Sequence, residues 1–183
     1  LGNISAYTNI GLEDIFKNIS YEQLKELKII GHVNFADLNP YPVDINGHGT
    51  YVAGIIAGTN GTGVAPGAYL FNVKVLSDLG IGYWSWIISG IEWSISHGAD
   101  IITLAFDTQS WSLPGLPTDP LSLAINKAVN SGIVVIAAAG DYPASYLSIG
   151  SPGMALGAIT VGTFNNLTTQ PTVWENSSRG PTL

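Results

Sequence analysis

The residue best suited to acid–base chemistry is His48, which stands between two glycines in the run Asn46-Gly47-His48-Gly49-Thr50. Because neither glycine carries a side chain, a reacting group can approach the imidazole closely. An imidazole with an ordinary pKa of about 6.5 takes up and returns a proton near neutral pH, as a general base must. Two interpretations remain open for these residues alone: a catalytic base, and a histidine that only caps a helix.

The residues after His48 are small and apolar, and they predict a buried helix that begins at Thr50. Further along the chain, apolar runs alternate with helical patterns, which is typical of βα units. Such alternation predicts an α/β fold with a doubly wound, mostly parallel sheet flanked by helices. One helix or two short ones are predicted over 13–30, and further helices over 50–58, 83–96 and 121–130. Strands are predicted over 4–12, 29–35, 69–76, 100–107, 132–141 and 158–163.

Composition limits the classes of function. The chain of 183 residues is long enough for one domain with a real core, and 46% of its residues are hydrophobic. A formal charge of −7 argues against nucleic-acid binding, and the absence of cysteine excludes disulfides and thiolate metal sites. No apolar run is long enough to predict a membrane span. Five Asn-x-Ser/Thr sequons favour an extracytoplasmic, glycosylated protein; they start at Asn3, Asn18, Asn60, Asn166 and Asn176.

Several blocks, in order, resemble those of the subtilisin-like serine proteases, from about Ile4 to the end of the chain. They are the His48 block, Gly63-Val64-Ala65-Pro66, Gly80-Ile81-Gly82 with Ser85–Trp93, Ile159-Thr160-Val161-Gly162 and Ser177-Ser178-Arg179-Gly180-Pro181. The resemblance implies that residues 1–183 are the N-terminal portion of a subtilisin-like peptidase domain. The domain is then incomplete, because the family's Gly-Thr-Ser with its nucleophilic serine is absent from this sequence.

The resemblance implies a catalytic His48 and places Asn9, followed by Gly11, where the family has the aspartate that orients the histidine. Replacing this aspartate by asparagine in a serine protease lowers turnover by about 10⁴-fold, because the imidazole adopts the wrong tautomer. Asp14 is an alternative acid at a more usual distance from His48, but it lacks the following glycine. A third interpretation is that the segment has diverged and neither residue matters.

Substrate contacts are also implied by the resemblance. Residues Gly80, Ile81 and Gly82 match an edge strand that pairs with the substrate backbone. Ala105 and Asp107 match the segment that lines the specificity pocket, where the family has a glycine instead of Asp107. An aspartate there crowds or charges the pocket.

Asp141 matches the family's asparagine that donates a hydrogen bond to the developing oxyanion. Loss of that donor, measured in a subtilisin itself, slows turnover by about 10²–10³-fold. An ionised Asp141 also places negative charge where negative charge must develop. A protonated Asp141 could donate, but the acid conditions that favour it also protonate His48.

Two hypotheses follow. In the first, the domain is impaired or inactive and serves as a structural or binding module of a secreted or surface protein. In the second, it is an active endopeptidase whose serine lies on a C-terminal segment. Expected partners are a peptide or protein, and a C-terminal segment, second chain or further copy. No metal is assigned; calcium is compatible with the resemblance, with Asp37 and Asp44 in one loop as candidates.

Overall fold

The computed structural model describes residues 28–59, 61–108, 117–142, 146–165, 170 and 172–181. Asn9, Asp14 and most of the helix predicted over 13–30 lie outside these residues.

The helices are α1 (His48–Ala57), α2 (Trp84–Ser96) and α3 (Pro120–Asn130). The strands are β1 (Ile29–Asn34), β2 (Leu70–Lys74), β3 (Ile101–Leu104), β4 (Val134–Ala138), β5 (Ile159–Val161), β6 (Phe164–Asn165) and β7 (Thr172–Val173). Two compact units divide the chain, Leu1–Thr103 and Leu104–Leu183; the single domain over 1–183 stays a prediction.

The first unit contains a parallel pair, β1 and β2, with Val33 opposite Val73. Helix α2 packs on β2 through Gly90, where a side chain would come within 2.5 Å of a methyl group of Val75. About one turn further along α2, the rings of Phe71 and Trp93 meet edge to face, with 5.4 Å between their centroids. Because Gly90 has no side chain, the helix can approach the buried strand closely.

Helix α1 begins at His48, two residues earlier than predicted, and it is not the buried helix that its apolar sequence suggested. Ala53 and Ala57 are its buried residues, and Ala53 packs against Ile29 and Leu70. On other faces of the helix, Tyr51 is 68% exposed and Ile55 is 46% exposed. The prediction was wrong because apolar composition alone does not say how many faces of a helix are covered.

The second unit contains the parallel pair β4 and β5, with Ala137 opposite Thr160. Helix α3 begins as predicted: Asp119 is its N-cap and accepts a hydrogen bond from the Ser122 N–H at 2.8 Å, and Pro120 is its first residue. Its Leu121, Ile125 and Ala128 are fully buried. Parallel strands with flanking helices in both units agree with the predicted α/β class, and a short antiparallel pair, β6 and β7, is added to them.

Candidate active site

His48 lies at the first position of α1 and its side chain is exposed. The preceding Gly47 has φ 87° and ψ −14°, a left-handed conformation that suits glycine. The backbone around His48 is held by Asp44. One carboxylate oxygen of Asp44 accepts the Gly47 N–H at 2.8 Å, and the other accepts the Thr50 N–H at 2.8 Å and the Thr50 hydroxyl at 2.7 Å.

The loop that carries Asp44 is fastened to β2 from its other side. The buried Asn72 side chain donates to the Pro42 carbonyl at 3.0 Å, and the Lys74 ammonium donates to the Val43 carbonyl at 2.7 Å. The Lys74 side chain is only 11% exposed and is paired with the carboxylates of Asp78 and Asp37. The position of the His48 loop therefore depends on polar side chains of a buried strand.

The segment Gly80-Ile81-Gly82 lies beside the same loop. The Asn46 amide donates to the Asp78 carbonyl at 3.3 Å, and a Cβ on Gly80 would lie 3.5 Å from that amide nitrogen. Among the described residues, Gly80 to Gly82 pair with no other strand; pairing of this segment with a substrate backbone stays a prediction. Instead, the Gly80 N–H donates to the Ser77 carbonyl and the Ser77 N–H donates to the Ile81 carbonyl, both at 2.8 Å. These two bonds make the chain from Ser77 to Ile81 a turn.

In the second unit, Asp107 and Asp141 are adjacent. The Asp141 N–H points to a carboxylate oxygen of Asp107 at 3.4 Å, a long hydrogen bond. A Cβ built on Gly140, whose φ is 105°, would lie 2.5 Å from the same Asp107 oxygen. The carboxylate therefore lies directly over the backbone of Gly140, and only a glycine leaves room for it there.

Burial raises the pKa of Asp107 above its usual 3.8, and the negative charge of Asp141 raises it further, while the Asp141 N–H opposes the shift. The pKa of Tyr142 is also raised, by burial and by the charge of Asp107. The region around Gly140 therefore disfavours negative charge, although two acidic side chains are placed in it.

Ser178 holds the same backbone segment. Its N–H donates to the Gly140 carbonyl at 3.0 Å and its hydroxyl accepts the Tyr142 N–H at 3.1 Å. The neighbouring Ser177 is buried, and its hydroxyl accepts the Thr163 N–H at 3.0 Å. The serine that the Asn176 sequon requires is Ser178, so its bonds to Gly140 and Tyr142 give it a structural role as well; Asn176 itself is exposed.

The predicted site residues fall into three groups. His48, Gly80, Ile81 and Gly82 belong to the first unit, where Asn46 joins the loop before His48 to the glycine segment. Ala105, Asp107 and Asp141 belong to the second unit, where Asp107 meets Asp141. Asn9 and Asp14 lie outside the described residues. Convergence of all three groups on one cleft stays a prediction.

Metal binding has no support in the part of the chain that the structure describes, where no group of three or more His, Cys, Asp or Glu side chains could hold an ion. The two acids considered for calcium make other contacts. Asp37 accepts from the Asn34 amide and the Asn39 N–H, and Asp44 binds the start of α1. Calcium binding stays a prediction.

Sequence reasoning missed the roles of Asp44 and Lys74. Asp44 lies three residues before Gly47, and an aspartate this close to a helix start is a signal for local side-chain-to-backbone bonding. From the sequence alone, Asp44 is only a candidate calcium ligand. Lys74 carried no such signal, because its partners come from two separate loops.

Comparison with known proteins decides the family. The sequence model of the subtilase family, Peptidase S8, matches residues 8–183. The chain belongs to the subtilase family. It is 40% identical over 149 residues to subtilisin DY of Bacillus licheniformis, covering 73% of this chain and 51% of that protein. It is 38% identical over 175 residues to serine protease AprX of Bacillus subtilis strain 168, covering 86% of this chain and 40% of that protein.

The fold agrees with this assignment. The crystal structure of a cold adapted subtilisin-like serine proteinase matches with a TM-score of 0.71 and 27% identity, over 98% of this chain and 59% of that one. The subtilisin-like α/β fold predicted from the sequence is therefore confirmed. The chain is a subtilisin-like peptidase domain that spans about half the length of the curated relatives it matches, 51% of subtilisin DY and 40% of AprX.

Proposed function

We propose that this subtilase domain is impaired in peptide-bond hydrolysis and acts as a structural or binding module. One observation carries the proposal: the carboxylate of Asp107 lies against the backbone of Gly140 and Asp141, at a position where Asp141 replaces the family's amide donor. Two carboxyl groups thus occupy a place where the reaction needs hydrogen-bond donors.

The physical cost of this arrangement is electrostatic. Peptide hydrolysis by a serine protease develops negative charge on the carbonyl oxygen, and preorganised donors stabilise it. An ionised Asp141 offers no donor and repels that charge, and Asp107 adds a second negative charge beside it. Loss of the donor alone costs about 10²–10³-fold in turnover, so two carboxylates cost at least that much.

The alternative is an endopeptidase that works in acid, with its serine on a C-terminal segment. The raised pKa of Asp107 favours this alternative, because it increases the range of pH over which one carboxyl of the pair keeps a proton. A protonated carboxyl can donate a hydrogen bond, whereas a carboxylate cannot. Such an enzyme would lose activity as the pH rises through the raised pKa of Asp107.

The decisive experiment measures peptide cleavage by the whole encoded protein from pH 3 to 9, together with labelling by a fluorophosphonate that reacts with activated serines. We expect little cleavage and little labelling at neutral pH. Asp141→Asn should raise turnover at neutral pH by about 10²–10³-fold if a serine is encoded. The matched control, Asp119→Asn, makes the same exchange at a helix cap and should change nothing.

Two results would decide against the first proposal, and a third would identify cleavage that comes from elsewhere. The unchanged protein is an active enzyme if it cleaves peptides at neutral pH as fast as Asp141→Asn does and if the fluorophosphonate blocks this cleavage. Cleavage confined to acid, lost in Asp141→Ala, supports the alternative. Cleavage that persists in a variant of His48 shows that the activity does not use this site.

Association with further polypeptide is part of the proposal. Several large apolar side chains of the second unit are more than half exposed, an arrangement typical of surfaces that contact other chain segments. They are Leu156, Ile159, Val161, Phe164 and Val173. We propose that additional sequence of the same protein covers them, as the greater length of the relatives suggests. Native mass spectrometry of the encoded protein tests this; a bound second chain or a homo-oligomer would replace the proposal.

The proposed partner of the cleft is a peptide or protein, as expected for this family, and the proposed location is extracellular or at the cell surface. Within the described ranges, no helix is both long and apolar enough to cross a bilayer. Peptide mapping by mass spectrometry of the secreted and cellular fractions tests the location and detects glycans at the five sequons.

A further inference from the structure

Helix α1 starts without the usual help from its own N-cap residue. The N-cap is Gly47, which has no side chain and makes no side-chain cap. The first N–H groups of a helix have no partner within the helix and must bind elsewhere. Ser, Thr, Asp or Asn normally provides that partner from the N-cap position. A glycine there leaves the turn that carries His48 dependent on another residue.

Asp44 is that residue, although it lies three positions before the N-cap. Its two carboxylate oxygens accept three hydrogen bonds of 2.7–2.8 Å, from the Gly47 N–H, the Thr50 N–H and the Thr50 hydroxyl. The bonds reach the chain on both sides of His48, one residue before it and two residues after it. The side chain is half-buried, which limits competition from water.

We propose that Asp44 is the positioning residue of His48, a role that rests on the proposed function only where it concerns catalysis. His48 lies between Gly47 and Gly49, two residues that allow many backbone conformations. Three short bonds to one carboxylate restrict that freedom and fix the backbone from which the imidazole projects. The exposed histidine can then keep one orientation without being packed in a core.

The position requires a carboxylate and not merely a polar side chain. All three groups that reach Asp44 are donors, and a carboxylate has two oxygens that only accept. An asparagine has one oxygen, and its NH₂ group would face at least one N–H. Negative charge near the first turn also suits the positive end of the helix dipole. We therefore expect Asp44→Asn to lose most of the effect, although its shape hardly changes.

Amide hydrogen exchange tests the clamp directly and needs no enzymatic activity. In Asp44→Asn, exchange at the Gly47 and Thr50 amides should accelerate by about tenfold or more, as expected for lost bonds to a charged acceptor. The control is Asp119→Asn, the same exchange at the N-cap of α3, whose carboxylate accepts the Ser122 N–H at 2.8 Å. It should leave exchange at Gly47 and Thr50 unchanged. Thr50→Val, which removes one donor, should accelerate exchange at Gly47 less than Asp44→Asn does.

Two further readouts separate positioning from general stability. Asp44→Asn should increase the rate at which diethyl pyrocarbonate acylates His48, whereas Asp119→Asn should leave it unchanged. In any activity that depends on His48, Asp44→Asn should lower kcat by about ten- to hundredfold, with an altered pH profile and little change in KM. If the protein shows no activity that depends on His48, only the catalytic proposal fails. Hydrogen exchange at Gly47 and Thr50 and acylation of His48 still test whether Asp44 positions His48. Unchanged exchange at Gly47 and Thr50, or equal acylation in the two variants, overturns the proposal.

Discussion

The carboxylate of Asp107 lies over Gly140 and faces the backbone N–H of Asp141 at 3.4 Å. By the resemblance to subtilisin-like proteases, Asp107 stands at the position of a glycine in the specificity pocket, and Asp141 stands at the position of the oxyanion donor. In this chain both positions hold an acidic side chain. The two changes are adjacent in space. Asp107 therefore affects the electrostatics around Asp141 as well as the space for a substrate.

The first prediction concerns stability and pH. Burial raises the pKa of Asp107 in the folded protein above its usual 3.8. The folded state therefore binds this proton more tightly than the unfolded state does. The resulting stabilisation is fully present below about pH 3.8 and is lost as the pH rises through the folded-state pKa. Asp107→Asn should increase the free energy of unfolding at pH 7 and leave it nearly unchanged at pH 3.

Urea denaturation at both pH values measures this difference, with Asp119→Asn as the control for the same exchange at a helix cap. If Asp107→Asn instead destabilises the protein at pH 7, the prediction is wrong. The hydrogen bond from the Asp141 N–H would then stabilise the ionised carboxylate by more than burial destabilises it.

The second prediction compares two helical glycines. A Cβ at Gly90 would lie 2.5 Å from one methyl carbon of Val75 and 3.0 Å from one of Val73, both stiff branched side chains. Gly90→Ala should therefore destabilise the protein by about 1–3 kcal/mol through overpacking. At Gly54, apart from the two adjoining residues and the backbone of the same helix turns, no heavy atom lies within 4 Å of the added carbon. Gly54→Ala should stabilise α1 by about 0.5–1 kcal/mol, because alanine is the better helix former. Thermal and urea unfolding of both variants check the opposite signs.

Much of the backbone could be predicted from the sequence. The strand at 29–35 is observed as Ile29–Asn34, and the cap at Asp119 with Pro120 starts α3 as expected. These features depend on local patterns: a run of β-forming residues in one case, and a capping residue before proline in the other. The order of the family's blocks supplied the overall fold.

The contacts around the site were less predictable, since they join residues distant in sequence. Lys74 binds the Val43 carbonyl because β2 runs beneath that loop, and no pattern near Lys74 announces it. Asp107 meets Gly140 because two chain segments pack together. The exposure of Tyr51 depends on which faces of α1 are covered. The type of a residue can be read from the sequence, but its burial depends on which other segments pack against it.

The third prediction concerns the helix cap at Asp119. Its carboxylate accepts the Ser122 N–H at 2.8 Å and the Ser122 hydroxyl at 3.1 Å. Asp119→Ala removes both acceptors and should destabilise the protein by about 1 kcal/mol, the usual value for a lost cap. Asp119→Asn keeps a good capping oxygen and should cost much less. Equal losses in the two variants, measured by urea unfolding, would show that charge and not capping geometry matters here.

The fourth prediction concerns Lys74, a cation whose side chain is only 11% exposed. It contacts two carboxylates, Asp78 and Asp37, and donates to the Val43 carbonyl at 2.7 Å. Lys74→Met keeps the aliphatic stem but leaves these acceptors without their cation. We expect a loss of about 2–4 kcal/mol in the free energy of unfolding, within the range for breaking partly buried charged contacts.

Lys74→Met should also have a local effect on the loop before His48. Val43 adjoins Asp44, so Lys74→Met should increase hydrogen exchange at the Gly47 amide as well as lower overall stability. Lys74→Arg keeps the charge and should recover most of the stability, although the larger guanidinium fits the site less well. A Lys74→Met protein as stable as the unchanged one, with normal exchange at Gly47, would show that the loop before His48 is held by Asn72 and Asp44 without the cation.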